Sequence, residues 1–294
     1  HTFQAVVQGQ APSYAIKDPA KLERLMKEYG VDTQIALANA IMSEFGKQDG
    51  PIQFTRRAPP RRLDLWKKLG IEPRGIDREI VECMHRTHMG VDNDHLNLIL
   101  QGLRTAIADG WGGSMIATEL QDVMFGTPTP IFSEANLGVL LPDQVNVIVH
   151  GHEPLLSEMI VAAATDPEMI DLAKKEGAKG INVAGICCTG NEVLMRHGVP
   201  VAGNFLQQEL AVATGAVDAM IVDVQCVMPA LGSLAGCFHT KFVSTSPKAK
   251  FPGATHVEFH EETALETAKS IVQMAVQNYR NRDPSRVHIP DIKS

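Results

Sequence analysis

Three soft metal ligands stand at comparable places in the chain, each just beyond a short apolar run. Val145-Asn146-Val147-Ile148-Val149 is followed by His150-Gly151-His152. Ile181-Asn182-Val183-Ala184-Gly185-Ile186 is followed by Cys187-Cys188-Thr189-Gly190-Asn191, and Ala219-Met220-Ile221-Val222-Asp223-Val224 by Gln225-Cys226. Thiolate and imidazole suit zinc, copper, nickel and iron–sulfur centres. His152 and Cys188 lie 36 positions apart, and Cys188 and Cys226 lie 38 apart. That is far wider than a zinc-finger knuckle and close to the length of one βα unit with its return, so the fold has to gather the ligands. A buried core cysteine or a loop histidine is the ordinary role for any one of these residues. Three at successive strand ends favour one shared site.

The apolar runs are short, rich in Val and Ile, and separated by helical stretches, which marks them as buried parallel strands. In an open parallel sheet, loops converge outside the carboxyl ends of the strands and sites form there. Residues 128–294 are therefore expected to form a Rossmann-like α/β domain with right-handed crossovers. Helices are expected from Pro154, from Pro167 to Glu176, from about Thr189, over Leu206–Thr214 and over Glu261–Tyr279. Further strands fit Val199–Ala202 and Lys241–Ser246. Cys188 near a helix N-terminus is expected to favour thiolate, with Cys187 pointing the other way.

Residues 1–127 carry helical periodicity. Asp18 caps a helix that runs to Tyr29 with Gly30 as its stop, and Asp32 opens another. The basic, proline-rich stretch from Arg56 to Arg62 suggests a surface loop. Helices follow over Arg61–Leu69, Ile76–Met89, His95–Ala108 and Ser114–Phe125. Gly126-Thr127-Pro128-Thr129-Pro130 ends the helical pattern and marks the domain boundary. Cys83, His85 and His88 fall unevenly about one helix, so packing and hydrogen bonding at the interface with the ligand-bearing sheet are favoured there over a local zinc site. Asp109, before Gly110, is by itself a solvent-facing residue at a helix end.

Composition restricts the function classes. The chain has 294 residues, 44% hydrophobic and 21% charged, with a net charge of −7, and no dense Lys/Arg run points to nucleic acid. Five cysteines without regular short spacing argue against a secreted disulfide scaffold. No apolar stretch reaches membrane-span length, and a reducing cytoplasm is the expected location. No G-x-G-x-x-G follows the first strand, so dinucleotide binding is not expected.

The segments VNVIVHGHEPLLSEMIV, GINVAGICCTGNEVLMRHGVP, AMIVDVQCVMP, HRTHMGVDND, FGTPTP and SEANLGVL resemble the catalytic subunit of anaerobic nickel-dependent carbon monoxide dehydrogenases, in the hybrid-cluster/carbon monoxide dehydrogenase superfamily. The resemblance covers essentially the whole chain. It implies a nickel–iron–sulfur cluster of the Ni-4Fe-4S type in which His152 and Cys188 hold the iron outside the cubane and Cys226 holds a cubane iron. It also implies that Asp109 acts near the outer iron as an acid–base or orienting group, and that His1 is the last histidine of a proton path. The implied reaction is CO plus water giving CO2, two electrons and two protons, with a ferredoxin-type acceptor. A homodimer is implied, with an acetyl-CoA synthase subunit as a further partner.

The same resemblance makes this a middle piece. It suggests that a beginning is missing before His1, with the cysteines of the family's [4Fe–4S] clusters. It also suggests that a third domain beyond Ser294 supplies further cluster ligands and a catalytic lysine, so the chain by itself is expected to be inactive. Two alternatives stand beside this reading: a hybrid-cluster reductase of hydroxylamine-like substrates, which the Cys187-Cys188 and Gln225-Cys226 surroundings fit less well, and a metal-free scaffold or interaction module. Metal and sulfide analysis separates the last from the others.

Overall fold

Val145–His150 (β1) and Val217–Val222 (β4) are buried at every position, as strands covered on both faces must be. A computed structural model describes residues 1–292. The chain divides into two units, one of residues 1–10 with 14–127 and one of residues 11–13 with 128 onward. The second unit holds a six-stranded parallel sheet in the order β3-β2-β1-β4-β5-β6. Its other strands are Ile181–Ile186 (β2), Val201–Gly203 (β3), Lys241–Ser244 (β5) and Thr255–His256 (β6). This is the Rossmann strand order, in agreement with the expected α/β class. The fourth strand lies two residues earlier than the apolar run suggests, which frees Asp223 and Val224 for the loop beyond it.

The helical unit contains Thr2–Val7 (α1), Pro19–Tyr29 (α2), Gln34–Gly46 (α3), Pro60–Leu69 (α4), Ile76–Arg86 (α5), His95–Ala108 (α6) and Ser114–Phe125 (α7). Asp18 caps α2 by accepting from the Lys21 amide at 2.9 Å, and Gly30 closes it in the left-handed region. The cap of α3 is Thr33, which accepts from the Ala36 amide at 3.1 Å, not Asp32. The stretch expected to be a loop contains a 3-10 turn over Gln53–Arg57 and starts α4 at Pro60, where proline's fixed φ suits a first helical turn. The helix α5 ends three residues before Met89. Glu79 on α5 is fully buried; it accepts from the Arg74 guanidinium at 2.9 and 3.0 Å and from the Gln101 amide at 3.1 Å, which compensates burial of its charge.

In the sheet unit, Pro154–Ala164 (α8), Pro167–Lys175 (α9), Cys187–His197 (α10), Gln208–Ala213 (α11), Ala230–Ala235 (α12) and Ala264–Asn278 (α13) join or cover the strands. Short 3-10 turns precede α11 and α13, so those helices begin later than periodicity suggests. Side chains alternate across a strand: Ile148, Met220 and Val222 pack with Ala211 and Val212 of α11 and with Leu231 and Ala235 of α12. On the opposite face α8 and α13 pack together, with Ile271, Val272, Ala275 and Val276 of α13 fully buried.

The amino edge of the sheet is tied by a buried carboxylate. Asp218 accepts from the Asn146 amide at 2.7 Å, lies 2.9 Å from His239 Nε2, and is paired with Arg282. The guanidinium continues to the carbonyls of Pro142 and Gln144 at 2.9 and 2.8 Å.

Candidate metal centre

The strand order reverses between β1 and β4, and open α/β sheets bind ligands in the crevice outside that point. His152 follows β1 by two residues, Cys226 follows β4 by four, and Cys188 follows β2 by two. Cys226 Sγ lies 3.9 Å from His152 Nε2. Cys188 is exposed at the start of α10. His1 and Asp109 belong to the helical unit. His1 precedes α1 and is exposed. Asp109 is exposed and opens a π-helical turn over Asp109–Gly113 that joins α6 to α7. It is therefore not at a helix stop. Such turns recur at functional positions.

The loop after β1 is shaped by a residue on the loop after β4. Asp223 is 1% exposed, and its carboxylate accepts from the amides of His152 at 2.7 Å, Glu153 at 2.9 Å and Val224. Burial pushes its pKa up to about 7, although the three N–H groups pull the other way. Gly151 makes this approach possible: it has φ 133, and a Cβ there would stand 1.8 Å from Asp223 Oδ1.

His152 Nδ1 lies 3.2 Å from the Val224 carbonyl oxygen. A carbonyl only accepts, so Nδ1 carries the proton and Nε2 offers its lone pair toward Cys226. Metal-binding histidines are commonly oriented in this way by a hydrogen bond at the other ring nitrogen.

The cysteine loops are strained. Cys187, Gln225 and Cys226 have φ of 62, 61 and 55, and among the described residues they are the only non-glycine residues with positive φ. Such conformations persist where the surroundings impose them, and they concentrate at functional sites. Gly185 and Gly190 bring the first turn of α10 against β2, since a Cβ on Gly185 would come within 2.3 Å of Gly190 Cα.

The thiols differ from expectation. The helix N-terminus does not lower Cys188; burial first, then Cys226, Glu192 and Asp223, push its pKa up. Cys187 does not turn away from the other sulfurs. It is buried, it lines a cavity of about 520 Å³ with Asn191, Ala202 and Gly203, and its pKa is pushed up to about 12 by burial and by Cys226 and Cys188. In the helical unit, His85 and His88 are exposed and His88 lies beyond the end of α5. Asp223, Gly151 and Gln208 escaped the sequence reading. A carboxylate inside an otherwise apolar run was the available signal for Asp223, because a buried charge needs dedicated partners.

Among the described residues, no three His, Cys, Asp or Glu side chains gather closely enough to hold one metal ion. The donor set is nonetheless suited to an iron–sulfur-type cluster, whose several metals divide the ligands among them. Two sulfurs are exposed, against the usual burial of free cysteine: Cys188 directly follows a left-handed residue, and Cys226 is itself left-handed and stands beside an imidazole whose lone pair is oriented. These residues fit such a group.

A model of the Prismane/CO dehydrogenase family matches residues 1–294. Carbon monoxide dehydrogenase 1 of Methanosarcina mazei is 66% identical over 300 residues, covering 99% of this chain and 48% of that protein. Carbon monoxide dehydrogenase 1 of Carboxydothermus hydrogenoformans is 48% identical, covering 99% of this chain and 47% of that protein. The chain thus spans about half the length of the curated relatives it matches. A nickel-free crystal structure of carbon monoxide dehydrogenase from Thermococcus sp. AM4 superposes with a TM-score of 0.96 at 53% identity, covering 98% of this chain and 47% of that one. A structure of acetyl-CoA synthase/carbon monoxide dehydrogenase with NiZn[Fe4S4] and NiNi[Fe4S4] clusters superposes with a TM-score of 0.94 at 44% identity, covering 99% of this chain and 45% of that one.

Proposed function

The chain belongs to the Prismane/CO dehydrogenase family, and from that premise we propose that it supplies His152, Cys188 and Cys226 to a nickel–iron–sulfur cluster of a carbon monoxide dehydrogenase. The complete enzyme oxidises CO with water to CO2, releasing two protons and two electrons. The observation that carries this reading is the pairing of Cys226 Sγ with the lone-pair nitrogen of His152 at the switch point of the sheet, 3.9 Å apart. The carbon monoxide dehydrogenase reading is favoured over a hybrid-cluster reductase because the relatives named above are carbon monoxide dehydrogenases.

When bound, the cluster supplies Lewis acidity toward water and a sink for two electrons. The chain's own residues hold and orient. The Val224 carbonyl keeps the proton of His152 on Nδ1, so that Nε2 remains a donor. Asp223 fixes the backbone of the His152 loop through the His152 and Glu153 amides, and its own loop through the Val224 amide. Asp109 accepts a proton or orients a ligand, and His1 extends a proton path; both roles rest on the family resemblance. A ferredoxin-type acceptor, a homodimer, an acetyl-CoA synthase partner and a cytoplasmic location complete the proposal. A relative from Moorella thermoacetica, named as the beta subunit of carbon monoxide dehydrogenase/acetyl-CoA synthase, supports the synthase partner. Among the described residues no helix is long and apolar enough to cross a membrane.

The test is anaerobic reconstitution of the chain with iron, sulfide and nickel, followed by metal analysis. Cys188→Ala, Cys226→Ala and His152→Ala are expected to lose bound iron, whereas Cys237→Ala is expected to keep it. Equal iron in all four variants would rule the ligand assignment out.

A further inference from the structure

We infer that Gln208 is the positioning residue for Cys226, a single buried amide that imposes the turn presenting the thiol. This rests on the reading of Cys226 as a cluster ligand. Gln208 opens α11 and is fully buried. Its Nε2 donates to the carbonyls of Phe205 at 2.7 Å and Cys226 at 3.0 Å, and its Oε1 accepts from the Met228 amide at 2.9 Å and lies 3.0 Å from His150 Nε2. A carboxamide has two N–H donors and two acceptor lone pairs, so these four contacts use its whole capacity.

The pattern also fixes the orientation of the amide. The opposite orientation would set an NH2 against the Met228 N–H and an oxygen against two carbonyls. With Oε1 accepting from Met228, the remaining contact requires His150 Nε2 to donate. One side chain therefore joins the end of β1, the turn before α11 and the backbone that leaves the Cys226 side chain toward Met228.

Gln225 and Cys226 hold left-handed backbone angles that neither residue type favours,. Cys226 O and Met228 N, which follow directly on these two residues, are the two groups that Gln208 grips from that loop. Without the amide, both would lose their buried partner, and the strained turn would relax toward ordinary negative φ. The thiol would then leave its place beside His152. Volume alone does not perform this task, and neither does a carboxylate, which cannot donate to two carbonyls.

The experiment uses the metal-free chain, handled without air, and two readouts. The first is the rate of iodoacetamide alkylation at Cys226 relative to exposed Cys237, and the second is iron bound after reconstitution with ferrous iron and sulfide. Gln208→Met, similar in volume, and Gln208→Glu, similar in shape, are both expected to shift the Cys226-to-Cys237 ratio about threefold to tenfold, the span of one or two lost hydrogen bonds, and to lose most of the iron. A space-filling role predicts that Gln208→Met keeps both the ratio and the iron, lowering only the melting temperature, and that result overturns the proposal. If Gln208→Met does not accumulate as folded chain, Gln208→Asn, one methylene shorter, is judged by the same readouts. Cys226→Ala separates the two readings. Iron loss there, with an unchanged Gln208→Met chain, defeats the positioning role alone. Iron retained there defeats the cluster reading, and the alkylation ratio still decides on Gln208.

Discussion

Gly151 and Asp223 meet so closely that the hydrogen on Gly151 stands where any other side chain would enter the carboxylate, with a Cβ falling 1.8 Å from Oδ1. The loop that carries His152 is therefore built around the absence of a side chain on one strand end and the presence of a buried acid on another.

The first prediction follows from that contact. Gly151→Ala has to shift the buried Asp223 carboxylate and adopt a φ of 133 with a side chain. Strain and overpacking each carry about 1–3 kcal/mol, so a destabilisation on the order of 3 kcal/mol is expected in urea unfolding. Iron uptake on reconstitution should fall with it. A variant as stable as the parent would show that the loop can be rebuilt around a methyl group.

At the amino edge of the sheet, Asp218 is fully buried and Arg282 is 5% exposed. Removing one partner of a buried pair leaves an uncompensated charge and costs about 3–5 kcal/mol. Arg282→Ala is expected to lose stability in that range. Because the change lies at the edge opposite His152 and Cys226, the alkylation rate of Cys226 in the folded protein should stay at its original value.

Acid dependence should be visible at the first capped helix. The Lys21 amide and then the Thr127 hydroxyl hold the Asp18 pKa below its usual value. A lowered folded pKa means that this contribution is present above the unfolded value of about 3.9 and is lost as pH falls through the folded value. Asp18→Asn keeps the cap without the charge, so its acid unfolding profile should be flatter with little change near neutrality. Asp18→Ala should lose about 1 kcal/mol at neutral pH. Parallel acid profiles for the parent and Asp18→Asn would remove the charge from the account.

The chain by itself should not oxidise CO. Even a plain [4Fe–4S] cluster is usually held by four cysteine thiolates, and the sheet unit offers two thiolates and one imidazole at its switch point. A viologen assay under CO on the anaerobically reconstituted chain is expected to stay at background. CO-dependent dye reduction that disappears in Cys188→Ala would show that this partial ligand set suffices.

Much of the architecture was readable in advance, for local reasons. β1 and β2 announce themselves as runs rich in Val and Ile because central strands of a parallel sheet are covered on both faces, so polar residues do not alternate regularly along them. The helices α6 and α7 have the bounds their periodicity suggests, and Asp18 and Gly30 mark the ends of α2 because capping and left-handed closure depend on single residue types. Thr33 was missed because Asp32 is an equally good cap by type, and only the course of the chain selects between them.

The chemistry of the three strand ends was likewise contained in residue types: two thiolates and an imidazole, spaced by βα units. What tertiary structure alone decided is how those ligands are held. Cysteine and glutamine do not encode left-handed backbone. The constraint comes from Gln208, eighteen residues away in the chain, while Asp223 reaches across seventy-one residues to the His152 amide. Hydrogen bonds over such separations exist only after the sheet has placed β1 beside β4. For that reason the sequence named the donors, and the folded sheet supplied their conformation.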